Sequence, residues 1–273
     1  MKAARRALPD LPPLDELRAF LVESVEEAGR LALRDFRRHG RTLADIQSKE
    51  GGSPVTSADI AVDRLLGRRL LEAFPFGYHS EERPDSWRHA EDVNFVVDPI
   101  DGTRNFIDGG DAWCIVVGVL AAGVPIAGAV HMPARSETYS AFRGGGAFRN
   151  EERLSPVRLP VAPYRTTGPR PISERLGQKL GLDLPHVGAV PALAHRVLTP
   201  LGQAVDLAVA NAGGHDWDIV ASDCILTEAG GTLMSLEGQR PVYRLDGGAH
   251  PPLVAGATAL FEKIGAGLLT NPA

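Results

Sequence analysis

The chain has 273 residues, 44% hydrophobic and 23% charged, the balance of a globular protein large enough to fold without disulfide staples. Its formal net charge of −5 argues against nucleic acid polymer as a partner, which calls for a basic face, and no apolar run approaches the roughly 18 residues of a membrane span. Cys114 and Cys224 lie far apart with no zinc spacing and read as buried thiols of a reducing, cytoplasmic compartment.

Residues 1–13 read as a loose, Pro-rich lead-in. Arg5-Arg6 is followed by Pro9, Asp10, Pro12 and Pro13, which interrupt the apolar core of any secretory signal. Leu14, Leu17, Leu21, Val25, Ala28, Ala32 and Phe36 then recur at helical spacing, predicting a long helix that ends near His39-Gly40. Lys49 to Pro54 is a loop by composition. A second helix follows Val55-Thr56-Ser57-Ala58-Asp59, with Ser57 or Asp59 as candidate caps.

Val93 to Val97 is β-branched and aromatic, a buried strand that runs straight into Asp98-Pro99-Ile100-Asp101-Gly102-Thr103. Further strands are predicted near 113–120, 125–132 and 138–142, with a Gly144-Gly145-Gly146 turn before the return strand at Ala147-Phe148. Residues 151–175 form a crossover. Beyond it the pattern predicts helices over 173–181, 193–203 and 219–228, and strands near 184–190, 204–210 and 252–256.

The chemistry centres on residues 98–103. A buried strand delivers two carboxylates three residues apart at its C-terminal end, where open α/β sheets place ligands. A helix starting near Thr103 would offer free N–H groups to an anion. Such an acidic turn can also be only a solvated loop, and Asp218 can be only a helix N-cap. Two further clusters, Ser80-Glu81-Glu82 and Asp216-Trp217-Asp218, supply more hard oxygen donors, the kind Mg2+ prefers. Glu82 and Asp223 read as surface or structural groups.

Asp98-Pro99-Ile100-Asp101-Gly102-Thr103 with Asn105-Phe106 resembles the first signature of the inositol monophosphatase family, and Trp217-Asp218-Ile219-Val220-Ala221 through Glu228-Ala229-Gly230-Gly231 resembles its second. Ser80-Glu81-Glu82, Pro54 to Asp59 and the hairpin Ala141 to Asn150 are similar to further family segments, in family order. The resemblance implies a layered α/β fold, with an N-terminal α+β half (1–150) carrying most metal ligands and a C-terminal α/β half (151–273) carrying Asp218. It implies hydrolysis of a small phosphate monoester with two to three Mg2+ per site, in a homodimer. Glu81, Asp98 and the Ile100 carbonyl would hold one ion, and Asp98, Asp101 and Asp218 a second. A third would sit near Glu81. Thr103, paired with Asp59, would help activate the attacking water, and the backbone of Gly102 and Thr103 would bind phosphate.

The substrate-side residues are mixed. Ser80 and Arg196 lean towards the 3'(2'),5'-bisphosphate nucleotidases of the family, which carry Ser and a Lys there. Thr103-Arg104-Asn105-Phe106 leans towards inositol phosphatases, although Asn211 stands where those place Glu. A compact polyol or sugar phosphate is the first expectation and adenosine 3',5'-bisphosphate the alternative. Fructose bisphosphate is a weaker third, and a catalytically silent regulatory relative is the alternative of another class.

Overall fold

The computed structural model describes residues 11–49, 52–83, 92–202 and 204–264. Helix α1 (Leu14–Ala32) ends short of the predicted Gly40, the chain turning through 33–36. A short hairpin, β1 (Ile46–Ser48) and β2 (Pro54–Thr56), leads into α2 (Ser57–Ala73). The cap of α2 is Thr56, not Ser57 or Asp59; Asp59 is the third helical residue and closes a reciprocal capping box with Thr56.

Strands β3 (Gly77–Ser80), β4 (Val93–Asp101), β5 (Cys114–Ala121), β6 (Val124–Met132), β7 (Glu137–Phe142), β8 (Gly146–Arg149) and β9 (Glu152–Arg153) form one sheet in that order. Within this sheet, among the described residues, β3 and β4 pair parallel and the other neighbours antiparallel. The sheet is buried on both faces, which is why β4 and β5 read as continuous apolar runs rather than alternating ones. Phe95, Val97, Ile115 and Val117 face the layer of α1 and α2, while Val96, Val116 and Val130 face the other way. Between β4 and β5 sits the one-turn helix α3 (Thr103–Ile107).

A second sheet is built from β10 (Thr166–Thr167), β11 (Leu207–Ala210), β13 (Leu253–Ala257) and β12 (Gly231–Ser235), in that spatial order. Helices α4 (Arg170–Leu180) and α7 (Thr258–Ile264) cover one face of it through Leu176, Leu260 and Phe261. The segment 184–190 is not the predicted strand; His186 alone makes an isolated bridge, to Thr166. Helix α5 (Leu193–Leu198) passes into a 3-10 turn that ends at Gly202.

Helix α6 (Asp216–Glu228) lies between the two sheets, which explains its nearly all-round burial. It starts three residues earlier than predicted. Its approach to the first sheet is set by missing side chains: a Cβ on Gly118 would lie 2.5 Å from Val220, and one on Gly128 would lie 2.7 Å from the Cα of Ala221. The strand and helix backbones therefore touch, and the N-terminus of α6 is held beside the end of β4. Helices and strands alternate in layers, the α/β class that the sequence implies. Among the described residues, no helix is long and apolar enough to cross a membrane.

Candidate active site

The end of β4 carries the centre of the site. A regular strand would turn Asp98 and Asp101 to opposite faces. The pairing with β5 shifts register between these two residues, so both carboxylates come to one place. Asp98 Oδ1 accepts the Ile100 N–H at 3.1 Å. Asp101 reaches the start of α5, where its two oxygens accept the N–H groups of Leu193 (3.0 Å) and Ala194 (2.6 Å). The third carboxylate comes from α6. Asp218 is not the N-cap, which is His215, but the third helical residue; its Oδ2 accepts the His215 N–H at 2.7 Å. One oxygen each of Asp98, Asp101 and Asp218 lies within 4.8 Å of the others.

Glu81 follows β3 directly, its N–H donating to the Val97 carbonyl of the neighbouring strand. The turn that presents it is braced by Asp63 of α2, which accepts from the hydroxyls of Ser80 (2.6 Å) and Tyr78 (2.9 Å) and pairs with Arg83. Ser80 thus has a structural use beneath the acidic turn. Of the surface and structural readings of Glu82, the structural one holds: its side chain is 6% exposed and pairs with Lys49 at 2.7 Å. The same ammonium lies 2.7 Å from Glu81. Burial works against the Lys49 charge, but the two carboxylates outweigh it and raise its pKa. Lys49 thereby joins the candidate site, although in the sequence it is only the first residue of a loop containing Gly51 and Gly52.

Electrostatically this is a strained acidic pocket. Burial first, and then Glu81, Asp101 and Asp218, push the Asp98 carboxyl well above its ordinary range. Asp218 is raised by burial and by Asp101 and Glu81. Asp101 is pushed up to about 6 by burial, the two α5 N–H groups holding it back. Converging hard carboxylate oxygens that resist ionisation together form a donor set suited to a divalent cation, whose charge removes the conflict.

Beside the cluster, Thr103 Oγ1 lies 3.0 Å from the Ile100 carbonyl and 3.4 Å from Asp59 Oδ1. The other oxygen of Asp59 accepts both the N–H (2.7 Å) and the hydroxyl (2.6 Å) of Thr56. Gly102, at φ 89°, makes the turn between Asp101 and Thr103, and a Cβ there would lie 3.0 Å from the Ala112 carbonyl. Asn211 is exposed. Arg196 is turned inward: Nε donates to Val190 O at 2.6 Å and Nη2 to Pro191 O at 2.9 Å, with Val209 O at 3.5 Å from Nη1. Asp223, on the far side of α6, is buried and accepts the Tyr243 hydroxyl at 2.7 Å.

This arrangement of carboxylates has relatives. Residues 13–266 match the inositol monophosphatase family. An inositol-1-monophosphatase from Mesorhizobium japonicum is 29% identical over 251 residues, covering 84% of this chain and 88% of the relative. A 3'(2'),5'-bisphosphate nucleotidase CysQ from Aggregatibacter actinomycetemcomitans is 25% identical over 257 residues, covering 90% and 96%. The crystal structure of the extragenic suppressor protein suhB from Bartonella henselae superposes with a TM-score of 0.75 at 23% identity, covering 93% of this chain and 98% of that one. The match runs through every element that supplies a carboxylate to the pocket, from α2 to α6, and the chain accordingly belongs to the inositol monophosphatase family, as a phosphoric monoester hydrolase.

Proposed function

We propose that the chain hydrolyses a compact polyol or sugar monophosphate with Mg2+, two to three ions per site. The observation that carries this is the convergence of the buried Asp98 and Asp101 and the half-buried Asp218 within 4.8 Å, with Glu81 among the groups that raise the Asp98 pKa. Asp98, Asp101 and Asp218 would hold one ion, and Glu81, Asp98 and the Ile100 carbonyl another, with a further ion near Glu81. When bound, the cations supply positive charge that activates water and offsets the charge developing on the leaving oxygen. The protein's part is positioning. Thr103 and Asp59 orient the attacking water and accept its proton, while the backbone at Gly102 and Thr103 receives phosphate oxygens. Lys49 keeps positive charge beside Glu81 and Glu82. We take residues 1–150 and 151–273 as the two halves that meet at the site, and a cytoplasmic homodimer as the working assembly. Phosphate release that depends on Mg2+, and stops on chelation, is the direct test.

The alternative substrate, adenosine 3',5'-bisphosphate, needs a free cation for its second phosphate. Arg196 is the candidate by sequence position, but its guanidinium is engaged by the Val190 and Pro191 carbonyls. Asn211 and the small residues Ala212 and Gly213 are exposed, which suits hydroxyl groups. At equal Mg2+, kcat/KM for inositol 1-phosphate is expected to exceed that for adenosine 3',5'-bisphosphate. A tenfold advantage for the nucleotide, about 1.4 kcal/mol of transition-state binding, would reverse the assignment.

Metal removal has a stability signature. Saturation with Mg2+ at 100 times its dissociation constant adds about 2.7 kcal/mol to the folded state. The pH dependence of the chelated protein follows from the raised carboxyl pKa values. Burial pushes Asp59 up to about 6, with Glu81 adding to it, and pushes Glu82 up to about 7. The folded state therefore holds these protons more tightly than the unfolded chain. The resulting stability is complete below about pH 4, where unfolded carboxylates titrate, and is lost as pH rises through 6 to 7. Chelated protein should melt lower at pH 7.5 than at pH 5, and saturating Mg2+, which favours the ionised form, should remove that drop. Melting curves that ignore Mg2+ at pH 7.5 would contradict the metal site.

A further inference from the structure

After β12 in the chain, the segment 236–252 leads to β13 without regular structure, passing through positive φ at Leu245 (56°) and Gly247 (73°). Its polar groups converge on the residues that flank Asp218. His250 Nε2 donates to Asp216 Oδ1 at 2.7 Å, both side chains being buried. The other oxygen of Asp216 accepts the N–H groups of Arg244 (3.1 Å) and Leu245 (2.9 Å). His250 also pairs through its backbone with the turn before α6: its N–H donates to Gly214 O at 2.7 Å, and its carbonyl accepts from Gly213 at 3.0 Å. His215, whose N–H holds Asp218, donates from Nδ1 to the Gly247 carbonyl at 3.1 Å.

We propose that Asp216 and His250 are positioning residues for the site: their hydrogen bond locks the 244–250 strap onto residues 213–216, and so fixes both the Asp218 carboxylate and the substrate-side turn at 211–215. The inference rests on the metallophosphatase reading. Among the described residues, the backbone N–H that orients Asp218 is that of His215, and it sits in a turn whose neighbours on both sides are tied to the strap. A helix N-terminus free to shift by a few tenths of an ångström would misplace the oxygen that a cation must meet, and an octahedral Mg2+ site tolerates little such error. Outer partners of this kind hold ligand geometry in metal sites generally.

The strap has a second anchor that separates positioning from mere stability. Tyr243 donates to Asp223, seven residues further along the same helix and about 10 Å from Asp216 along its axis. That bond secures the same segment away from the metal carboxylates. The experiment compares wild-type protein with His250→Ala, His250→Gln and Tyr243→Phe. It measures Mg2+ affinity of the chelated protein by calorimetry, melting temperature, and kcat and KM separately. His250→Ala is expected to weaken Mg2+ binding about 10- to 100-fold, the usual cost of losing such an outer partner, and to lower kcat. His250→Gln, whose amide nitrogen can reach Asp216 as Nε2 does, should recover most of that loss. Tyr243→Phe should lower the melting temperature while leaving Mg2+ affinity and kcat unchanged. If His250→Ala does not fold, His250→Asn, whose amide falls short of Asp216, takes its place.

A His250 variant that melts lower yet binds Mg2+ as tightly as wild type, with unchanged kcat, overturns the positioning role and leaves the phosphatase reading standing. Failure of the glutamine to recover any affinity also overturns it. Wild-type protein that binds no Mg2+ overturns the metal reading and this inference together.

Discussion

Asp98→Asn is expected to reduce Mg2+-dependent turnover by roughly 10³-fold or more while raising the melting temperature of the chelated protein. The two effects have one cause. Asp98 is the carboxylate shared by two of the proposed ion positions, and losing several kcal/mol of cation stabilisation corresponds to about three powers of ten in rate. Without cations the same group is a liability. It is buried, and Glu81, Asp101 and Asp218 crowd it, so its pKa is driven well above the usual range. An asparagine of nearly equal shape is neutral without taking up a proton, so it removes that cost of folding, and it can donate to a neighbouring carboxylate. Asp223→Asn is the control. It replaces another buried carboxylate on α6, but one that accepts from Tyr243 and pairs with Arg240. Its loss should cost about 1–3 kcal/mol of stability and spare turnover. Turnover that survives Asp98→Asn would mean that the acidic pocket is not where the chemistry occurs.

What the sequence shows of this site is local, and what it hides is contact between distant segments. The β4 run ending in Asp98-Pro99-Ile100-Asp101-Gly102-Thr103 is legible because a β-branched strand, a proline and a glycine dictate a buried strand and a sharp turn within ten residues. Glu82 and Lys49 are not legible: their pairing joins the loop of the β1–β2 hairpin to the turn after β3, and nothing in either segment alone announces it. The end of α1 fails for a different reason. Phe36 keeps helical spacing because it is buried against Phe106 and Trp113, but it reaches them from a turn after the helix has stopped. Periodicity reports which side chains are buried, and the backbone that delivers them can change. At α6 the reading begins three residues late, because Asp216 and Asp218 look like groups preceding a helix. They belong to its first turn, where acidic side chains suit the exposed N–H groups. Arg196 illustrates the same limit in chemistry: its sequence position suggests a phosphate ligand, while its donors are satisfied by backbone carbonyls.

Asp59→Ala and Asp59→Asn should separate two uses of one carboxylate, which the sequence poses as alternatives and the geometry assigns to different oxygens. Oδ2 closes the capping box with Thr56, and Oδ1 faces the Thr103 hydroxyl at 3.4 Å. Loss of the cap costs about 1 kcal/mol of stability. Loss of support for a general base costs roughly 10²–10⁴-fold in turnover. Alanine removes both oxygens, so that variant should show both losses. Asparagine can keep its carbonyl oxygen on Thr56 and thereby retain most of the stability, but it then turns an amide N–H towards Thr103 where a proton acceptor stood. Its turnover should fall nearly as far as that of the alanine variant. Thr103→Val, which leaves the capping box intact, should match the asparagine variant in both measurements. If asparagine keeps wild-type turnover while alanine loses only about 1 kcal/mol of stability, Asp59 serves only as the capping-box partner of Thr56 and the proton acceptor must be sought among Glu81 and the Asp98–Asp101–Asp218 cluster. If the asparagine and valine variants instead lose turnover together at nearly unchanged stability, the Asp59–Thr103 pair is doing chemistry that its capping partner Thr56 does not share.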